Sequence, residues 1–487
     1  MAFFIGFNYN LLRNMKDALL VTAESSGAEV IPFIKVWGIV PSALIMTFVY
    51  SRLNNKLSRQ RVFYAMVTIF LLFFTLFTFA LYPIRDLLHP HHTADLLELY
   101  LPKGFKGLIA MFRYWTFSSF YIMSELWSSF ILSTLFWGFA NEITKVTEAK
   151  RFYGILAVGL NMAAIVAGQT AVFLSSDIIY KVVPLSSDPW HHSIILLTIV
   201  ILLFSFVIIG IYRYLTTRVL TREDQSHVMA MQKGPKIHMS TRETFAYLAK
   251  SKYLMYIAIV VLCYNIVINL VEVVWKDQVD TLYPNPNDFC SYMSQITTIT
   301  GIISLFACFF ISGQSIRKCG WTFTALLSPL VLLITSIIFF TFFFGSSSLV
   351  GVTVIMGTSP LALIVLFGSL QNCLARAAKF SLFDATKEIA FIPLSMESKL
   401  KGKAVIDGVG SRLGKSGGSL IHQSLIVVFS SIAASAHIVA GLLTLFISAW
   451  IVAVVALGKR FNALTVETEE ESAPPLPQEK PELAPSR

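Results

Sequence analysis

The chain has 487 residues, 55% of them hydrophobic and only 14% charged, with a mean hydropathy of +0.68. Soluble domains carry about 25% charge, so this composition excludes a soluble enzyme or binding module and makes the chain an integral membrane protein. The net charge of +10 would suit nucleic acid or anionic lipid. In a membrane protein, loops biased toward one side of the bilayer account for it, and no nucleic-acid partner is expected.

A spanning helix needs about 20 mostly apolar residues. In chain order, twelve such segments are predicted, at 1–22, 28–51, 62–83, 107–140, 152–175, 193–213, 253–275, 289–312, 321–344, 349–385, 402–430 and 436–458. The first holds FNYNLLRNMKDALL (Phe7 to Leu20), which carries Arg13, Lys16 and Asp17 among apolar residues. No charge occurs between Arg61 and Arg85, between His192 and Arg213, or between Lys318 and Arg376, where FGSSS (Phe344 to Ser348) supplies a turn. Segment 84–106 is expected to hold a short amphipathic helix. Its His89, His91 and His92 read as a solvated loop rather than a metal site, because Pro90 breaks helical spacing and no Cys is near. The five cysteines (Cys263, Cys290, Cys308, Cys319 and Cys373) lack CxxC or CxxxC spacing, so no disulfide framework, metal or cofactor follows. Neither a cleavable signal peptide nor an Arg/Ser-rich transit peptide is evident, which points to a bacterial protein.

A repeat organises these segments. YNLLRNMKD (Tyr9 to Asp17) returns 255 residues later as YNIVINLVE (Tyr264 to Glu272), within the seventh helix, which opens the second half. This reads as a duplicated six-helix unit whose halves aim polar groups at a shared central site. The expected organisation is a first bundle over 1–214, a basic linker over 215–252, a second bundle over 253–458 and a Pro- and Glu-rich disordered tail over 459–487. With the N-terminus placed inside, the five inside loops hold 21 Lys and Arg and the six outside loops hold 5, counting Lys276 as a loop residue. Both termini are therefore expected on the cytoplasmic side.

Charges within spans are costly and mark a pathway unless they snorkel to headgroups. Eight cations are predicted inside helices: Arg13, Lys16, Lys35, Arg113, Arg376, Lys379, Arg412 and Lys415. Five carboxylates accompany them: Asp17, Glu125, Glu272, Asp384 and Asp407. Arg13 and Asp17, spaced i, i+4, suit a structural pair. The positive surplus favours an anionic substrate in a water-filled cavity between the halves, into which Lys35, Glu125 and Glu272 all fit. Asn161, in GLNMAAIVAG, offers donors and an acceptor that suit either a nucleobase edge or an interhelical hydrogen bond. Gly159 and Gly168 of the same helix permit close helix contact. GVGSRLGKSGG (Gly408 to Gly418) is not a P-loop, since the required glycine falls at Val409 and no strand precedes it. A glycine-rich break there could still present N–H groups and cations to a phosphate.

Five segments together resemble the ATP/ADP translocases, or nucleotide transporters, of plastids and obligate intracellular bacteria. They are NYNLLRNMKDALLVT, GAEVIPFIKVW, SELWSSFILSTLFWGFANEIT, EAKRFYG and DATKEIAFIPLSMESKLKGKAVIDGVGSRLGKSGG. The resemblance implies an all-α, major-facilitator-like fold whose two six-helix halves rock about a central nucleotide site. It implies critical charges at Lys35, Glu125, Glu272 and a lysine of the last segment, Lys415 ahead of Lys403, with Asn161 in base selectivity. Arg13, Lys16 and Arg412 complete the expected substrate-binding set. Helix 1 reads LRNMKD where strict exchangers read L-R-D-T-K-D, so Asn14 removes a carboxylate and puts strict ATP/ADP specificity in question. The resemblance implies an arm before helix 1, and the chain is expected to begin inside that helix with the arm absent or very short.

The expectation is thus a carrier, not an enzyme, in the inner membrane of an obligate intracellular bacterium, exchanging ATP for ADP plus phosphate by alternating access. The alternative within the same fold is a proton-coupled importer of several ribonucleotides. A membrane enzyme acting on nucleotides is the remote alternative.

Overall fold

The computed structural model describes residues 1–143, 146–219, 251–346, 351, 357–394, 398, 402–403, 405–406 and 410–472. Twelve long helices lie among them. The first six are α1 (Ala2–Val21), α2 (Val30–Lys56), α3 (Arg59–Leu81), α4 (Trp115–Trp127, continuing through Ser128–Phe136 to Ile143), α5 (Val146–Leu174) and α6 (Pro189–Val219). The second six are α7 (Lys252–Leu282), α8 (Pro286–Ile311), α9 (Gln314–Phe344, kinked at Gly320), α10 (Pro360–Ala390), α11 (Ser411–Phe429) and α12 (Ile432–Leu464). Nine of these described helices are long and apolar enough to cross a membrane. The exceptions are α1, α4 and α11, and the chain is a multi-pass, all-α membrane protein.

Several helix starts share one local device. Asp188, Asn285 and Ser359 each accept a hydrogen bond from a first-turn N–H, and proline follows at position 189, 286 or 360. The side-chain oxygen satisfies a donor with no intrahelical partner, and proline has no N–H to leave unpaired. Ser251 caps α7 in the same way without the proline.

Some boundaries differ from expectation. Helix α7 runs to Leu282 rather than 275, about two turns further, which places Lys276 within it. Beyond the span given for α12, the final helix runs on from Leu464 to Ser472 rather than ending at 458. The predicted span 107–140 breaks at Tyr114, whose backbone (φ −103°, ψ 49°) separates Lys106–Arg113 from α4. Most of 349–359 and of the linker 220–250 lies outside the described residues.

Segment 84–106 holds the short amphipathic helix expected there, and of its three histidines His92 is exposed whereas His89 is not solvated. It forms Arg85–Leu88 and the amphipathic helix His91–Tyr100. His89 is buried against the rings of Tyr114 and Phe117, and its Nε2 lies 2.6 Å from Thr116 Oγ1. Burial pushes the His89 imidazolium down to about 4.

Packing reproduces the sequence repeat. Helix α1 packs on α5, and its repeat partner α7 packs on α11. Between the halves, α5 meets α8 and α2 meets α11. Repeat-equivalent asparagines behave alike: Asn10 donates to Gly6 O at 2.7 Å and Asn265 to Val261 O at 2.8 Å, each one turn back. The next pair reaches across: Asn14 donates to Ser294 Oγ on α8, and Asn269 Oδ1 accepts from Lys35 on α2.

The halves are shut at the end of the bundle that carries 84–106. There Gly104 lies against the Val427 backbone of α11, and Ser193 donates to Asn287 Oδ1 at 2.8 Å. Toward the opposite, basic end, Ser129 and Ser133 of α4 and Arg412 and Lys415 of α11 are exposed. Polar side chains exposed on spanning helices face water rather than lipid, so this end is open between the halves.

Candidate functional site

The centre of the molecule holds one continuous ionic cluster built from five helices. Glu272 on α7 is its hub. Its Oε1 lies 3.0 Å from Lys276 Nζ, 3.1 Å from Arg376 on α10 and 3.6 Å from Arg13 on α1. Its Oε2 lies 3.6 Å from Lys35 on α2. Asp17 on α1 sits between two ammonium groups, Lys16 at 2.9 Å and Lys276 at 2.8 Å. Lys16 also meets Glu125 of α4 at 3.0 Å and stands 3.6 Å over the Tyr121 ring. The ring face supplies negative potential to a cation held out of water.

Local structure explains how these groups reach one another. Lys35 lies in a π-helical stretch of α2, Ile34–Ile39, and Glu125 one turn before another, Ser128–Phe136. Such wide turns are a frequent device at functional sites. Asn269 anchors Lys35 at 2.6 Å and donates to the Lys415 carbonyl at 3.2 Å, tying α2, α7 and α11 together.

Five cations (Arg13, Lys16, Lys35, Lys276 and Arg376) thus face three carboxylates (Asp17, Glu125 and Glu272). Lys415 adds a further positive charge, exposed and with no ion pair among the described residues, in electrostatic reach of Lys35, Glu125 and Glu272. Glu125, Lys35, Arg376 and Arg13 retain 16–30% side-chain exposure, whereas Lys276 and Asp17 retain 2% and 0%. The cluster therefore has a reachable layer and a sealed layer beneath it. Its positive excess suits a polyanion, and the reachable cations can exchange a carboxylate for phosphate oxygens at little desolvation cost.

Of the residues expected from sequence, Arg13, Lys16, Lys35, Glu125 and Glu272 come together, with Lys415 beside them. The Arg13–Asp17 pairing is replaced: Asp17 takes Lys16 and Lys276, while Arg13 reaches across to Glu272. Lys403 stands apart, bound to Glu388. Arg412 is exposed nearly one turn before Lys415 on α11 and belongs to no ion pair among the described residues. Arg113 holds Asp95 at 2.7 Å and Glu98 at 2.8 Å at the shut end, away from the cluster. Lys379 is 3.9 Å from Asp384, and Asp407 lies outside the described residues.

Asn161 lies on the seam between the halves. Its side-chain amide donates to Ala157 O at 3.0 Å, and its backbone carbonyl backs onto Gly301 of α8. Gly168 makes the close contact expected of it, against Ser294 O and Thr298, whereas Gly159 meets nothing.

The glycine-rich segment is not a phosphate loop where it is described. Gly410 is helical (φ −60°, ψ −45°). A Cβ on Gly414 would fall 2.7 Å from Asn265 Cβ, and one on Gly418 3.0 Å from Asn269 Cβ. These glycines let α11 approach α7, and that contact positions Lys415.

Lys276, Asn269 and Tyr121 were missed as site residues. Lys276 reads as a loop charge at the end of an apolar run, although it follows Glu272 by four residues, the spacing of a helical ion pair. Asn269 was visible as the repeat partner of Asn14. Among the described residues, no group of three His, Cys, Asp or Glu could hold a metal.

Comparison with known proteins is consistent across the chain. The family model for the TLC ATP/ADP transporter matches residues 1–461. The chain is 46% identical to ADP,ATP carrier protein 2 of Chlamydia pneumoniae over 472 residues, covering 95% of this chain and 87% of that one. It is 44% identical to ADP,ATP carrier protein 1 of Chlamydia muridarum (97% and 89% covered) and 38% identical to the chloroplastic ADP,ATP carrier protein 2 of Arabidopsis thaliana (97% and 75%). Among solved structures, a bacterial homologue of the iron transporter ferroportin in its inward-facing state aligns with a TM-score of 0.53 at 12% identity, over 95% of this chain and 98% of that one. The nucleoside transporter NupG aligns at 0.50 and 11%, over 95% and 99%. At such identities the likeness concerns the fold alone.

Proposed function

Because the chain belongs to the TLC ATP/ADP transporter family, we propose that it carries ATP and ADP across a membrane in exchange for one another, with phosphate accompanying ADP. The observation that carries the reading is the reachable cationic layer around Glu272, where Arg13, Lys35 and Arg376 converge from both halves beside Lys415. Phosphate oxygens displace the Glu272 carboxylate from these cations. Glu272 and Glu125 hold the cations when the site is empty. Asn161, on the seam, serves the base. The bound nucleotide bridges the halves, and the loaded carrier rocks between a state open at the basic end and one open at the other. The chain acts as a carrier without hydrolysis. The charge bias of its loops supports cytoplasmic termini, and the likeness to the Chlamydia carriers supports the inner membrane of an intracellular bacterium.

The test is uptake of labelled ATP into liposomes holding the purified protein, with and without internal ADP. Exchange requires uptake that depends on internal ADP. Uptake into empty vesicles that follows a pH gradient and is competed by GTP, CTP or UTP instead identifies a net importer of several ribonucleotides. Lys35→Ala leaves Glu272 with other cations but removes a phosphate ligand. Exchange is expected to fall by about 100-fold or more, in line with losing a desolvated charge–charge contact, while thermal unfolding in detergent stays cooperative. Uptake at the parent rate would remove Lys35 from the site.

A further inference from the structure

We infer that Lys276 is a positioning residue that couples occupancy of the central site to opening of the shut end, by choosing between Asp17 and Glu272; this rests on the exchange reading above. Lys276 Nζ lies 2.8 Å from Asp17 Oδ2 on the first half and 3.0 Å from Glu272 Oε1 on its own helix. No well-aligned hydrogen-bond donor reaches Asp17 Oδ2 among the described residues, so the ammonium is that oxygen's counter-charge. Both groups are sealed, and both lie further toward the shut end than Arg13 and Glu272 on the same two helices. A ligand entering from the basic end therefore meets Arg13, Lys35 and Arg376 without touching Lys276.

The competition follows from the charges. In the empty site Glu272 shares Lys276 with Arg13, Lys35 and Arg376, so the ammonium can hold Asp17 at the same time and clamp α7 to α1. Arg13 and Lys35 belong to the first half and reach Glu272 across the gap. When phosphate draws them away, Glu272 regains unbalanced negative charge beside Lys276. The ammonium shifts toward Glu272, and Asp17 keeps Lys16 at 2.9 Å. The clamp between the halves thus weakens only when the site is loaded. An empty carrier stays shut at the far end, which is the condition for exchange without leak.

The layer above the clamp is built to part. A cavity of about 240 Å³ lies there between the halves, lined by Ser26, Glu29 and Lys106 on one side and Asp277, Asp280 and Ile426 on the other. Ile426 is 1% exposed in this state.

The experiment uses the full chain in liposomes. Lys276→Gln leaves Asp17 without its counter-charge and can misfold, so the neutral pair Asp17→Asn with Lys276→Gln is measured alongside it. The ratio of ATP uptake with internal ADP to uptake without it is expected to fall about tenfold or more, because uptake into empty vesicles rises as the shut state loses its bias. In an Ile426→Cys background, a membrane-impermeant maleimide should modify the introduced cysteine slowly without nucleotide and faster with ATP. The neutral pair should make modification about tenfold faster without nucleotide, as read by mass spectrometry of the peptide. Equal loss in both uptake arms with an unchanged modification rate overturns the inference and leaves Lys276 a structural residue. If the parent protein shows no dependence on internal ADP, the exchange reading fails by itself. The modification rate then decides the latch: faster sustains it, unchanged overturns it.

Discussion

Glu272 and Asn14 mark the two kinds of polar residue that a spanning helix carries. Glu272 gathers cations from α1, α2, α7 and α10, and breaking such a buried set by removing one partner costs about 3–5 kcal/mol. Asn14 is 1% exposed and donates to Ser294 Oγ at 3.0 Å and Thr297 Oγ1 at 3.3 Å, both on α8. The departure from L-R-D-T-K-D at Asn14 therefore alters the contact of α1 with α8, not the ionic layer around Glu272. A carboxylate at this position can accept from the same two hydroxyls. Asn14→Asp is accordingly expected to leave the order in which GTP, CTP and UTP compete with ATP unchanged, each within about twofold, well below the discrimination that a polar contact to a ligand provides. A selective gain or loss of one competitor would place Asn14 in contact with the ligand after all. Lys276 was hidden for a related reason. A lysine at an apolar segment's end looks like a loop residue until the helix is known to continue past it.

At the scale of elements, small residues set how closely helices from different halves approach. On α5 a Cβ at Gly168 would fall 2.5 Å from Ser294 O and closer still to Thr298 Oγ1, whereas one at Gly159 meets nothing within 4 Å. Gly168→Val must push α8 away, and overpacking of this kind costs about 1–3 kcal/mol. The expected outcome is a lower melting temperature in detergent together with lost exchange. Gly159→Ala is the control, expected to leave both unchanged or to raise stability by up to about 1 kcal/mol through helix propensity. Equal behaviour of the two variants would refute the packing argument. Sequence alone showed both glycines but not which one faces α8. Helix existence was legible from apolar run length. The ends of α7 and the break at Tyr114 were not, because capping and turn geometry operate within a single turn.

For the molecule as a whole, the shut end depends on a contact with no room in it. A Cβ on Gly104 would lie 2.5 Å from Val427 O and 2.6 Å from Val427 Cα, backbone atoms that cannot rotate aside. Gly104→Leu is therefore expected to hold this end open. Modification of the cysteine in Ile426→Cys without nucleotide should rise about tenfold or more, and exchange should fall by a similar factor, as a shifted two-state equilibrium requires. Unchanged modification would mean that the loop yields and the halves still close.

Composition, run length and loop charge by themselves determined a helical, multi-pass membrane protein, and the returning Tyr–Asn motif announced its duplication. These are properties of short windows, since crossing a bilayer requires each segment to satisfy its own backbone and bury its own apolar surface. The charged residues were visible in the same way, as exceptions within such windows. Only the tertiary structure decided which of them share a carboxylate. Lys35 and Asn269 are 234 positions apart and bond directly, whereas Arg13 and Asp17, four apart on one helix, take other partners. Pairing between helices depends on rotation, depth and the small residues that let backbones meet, and none of these is written at the position of the charge itself.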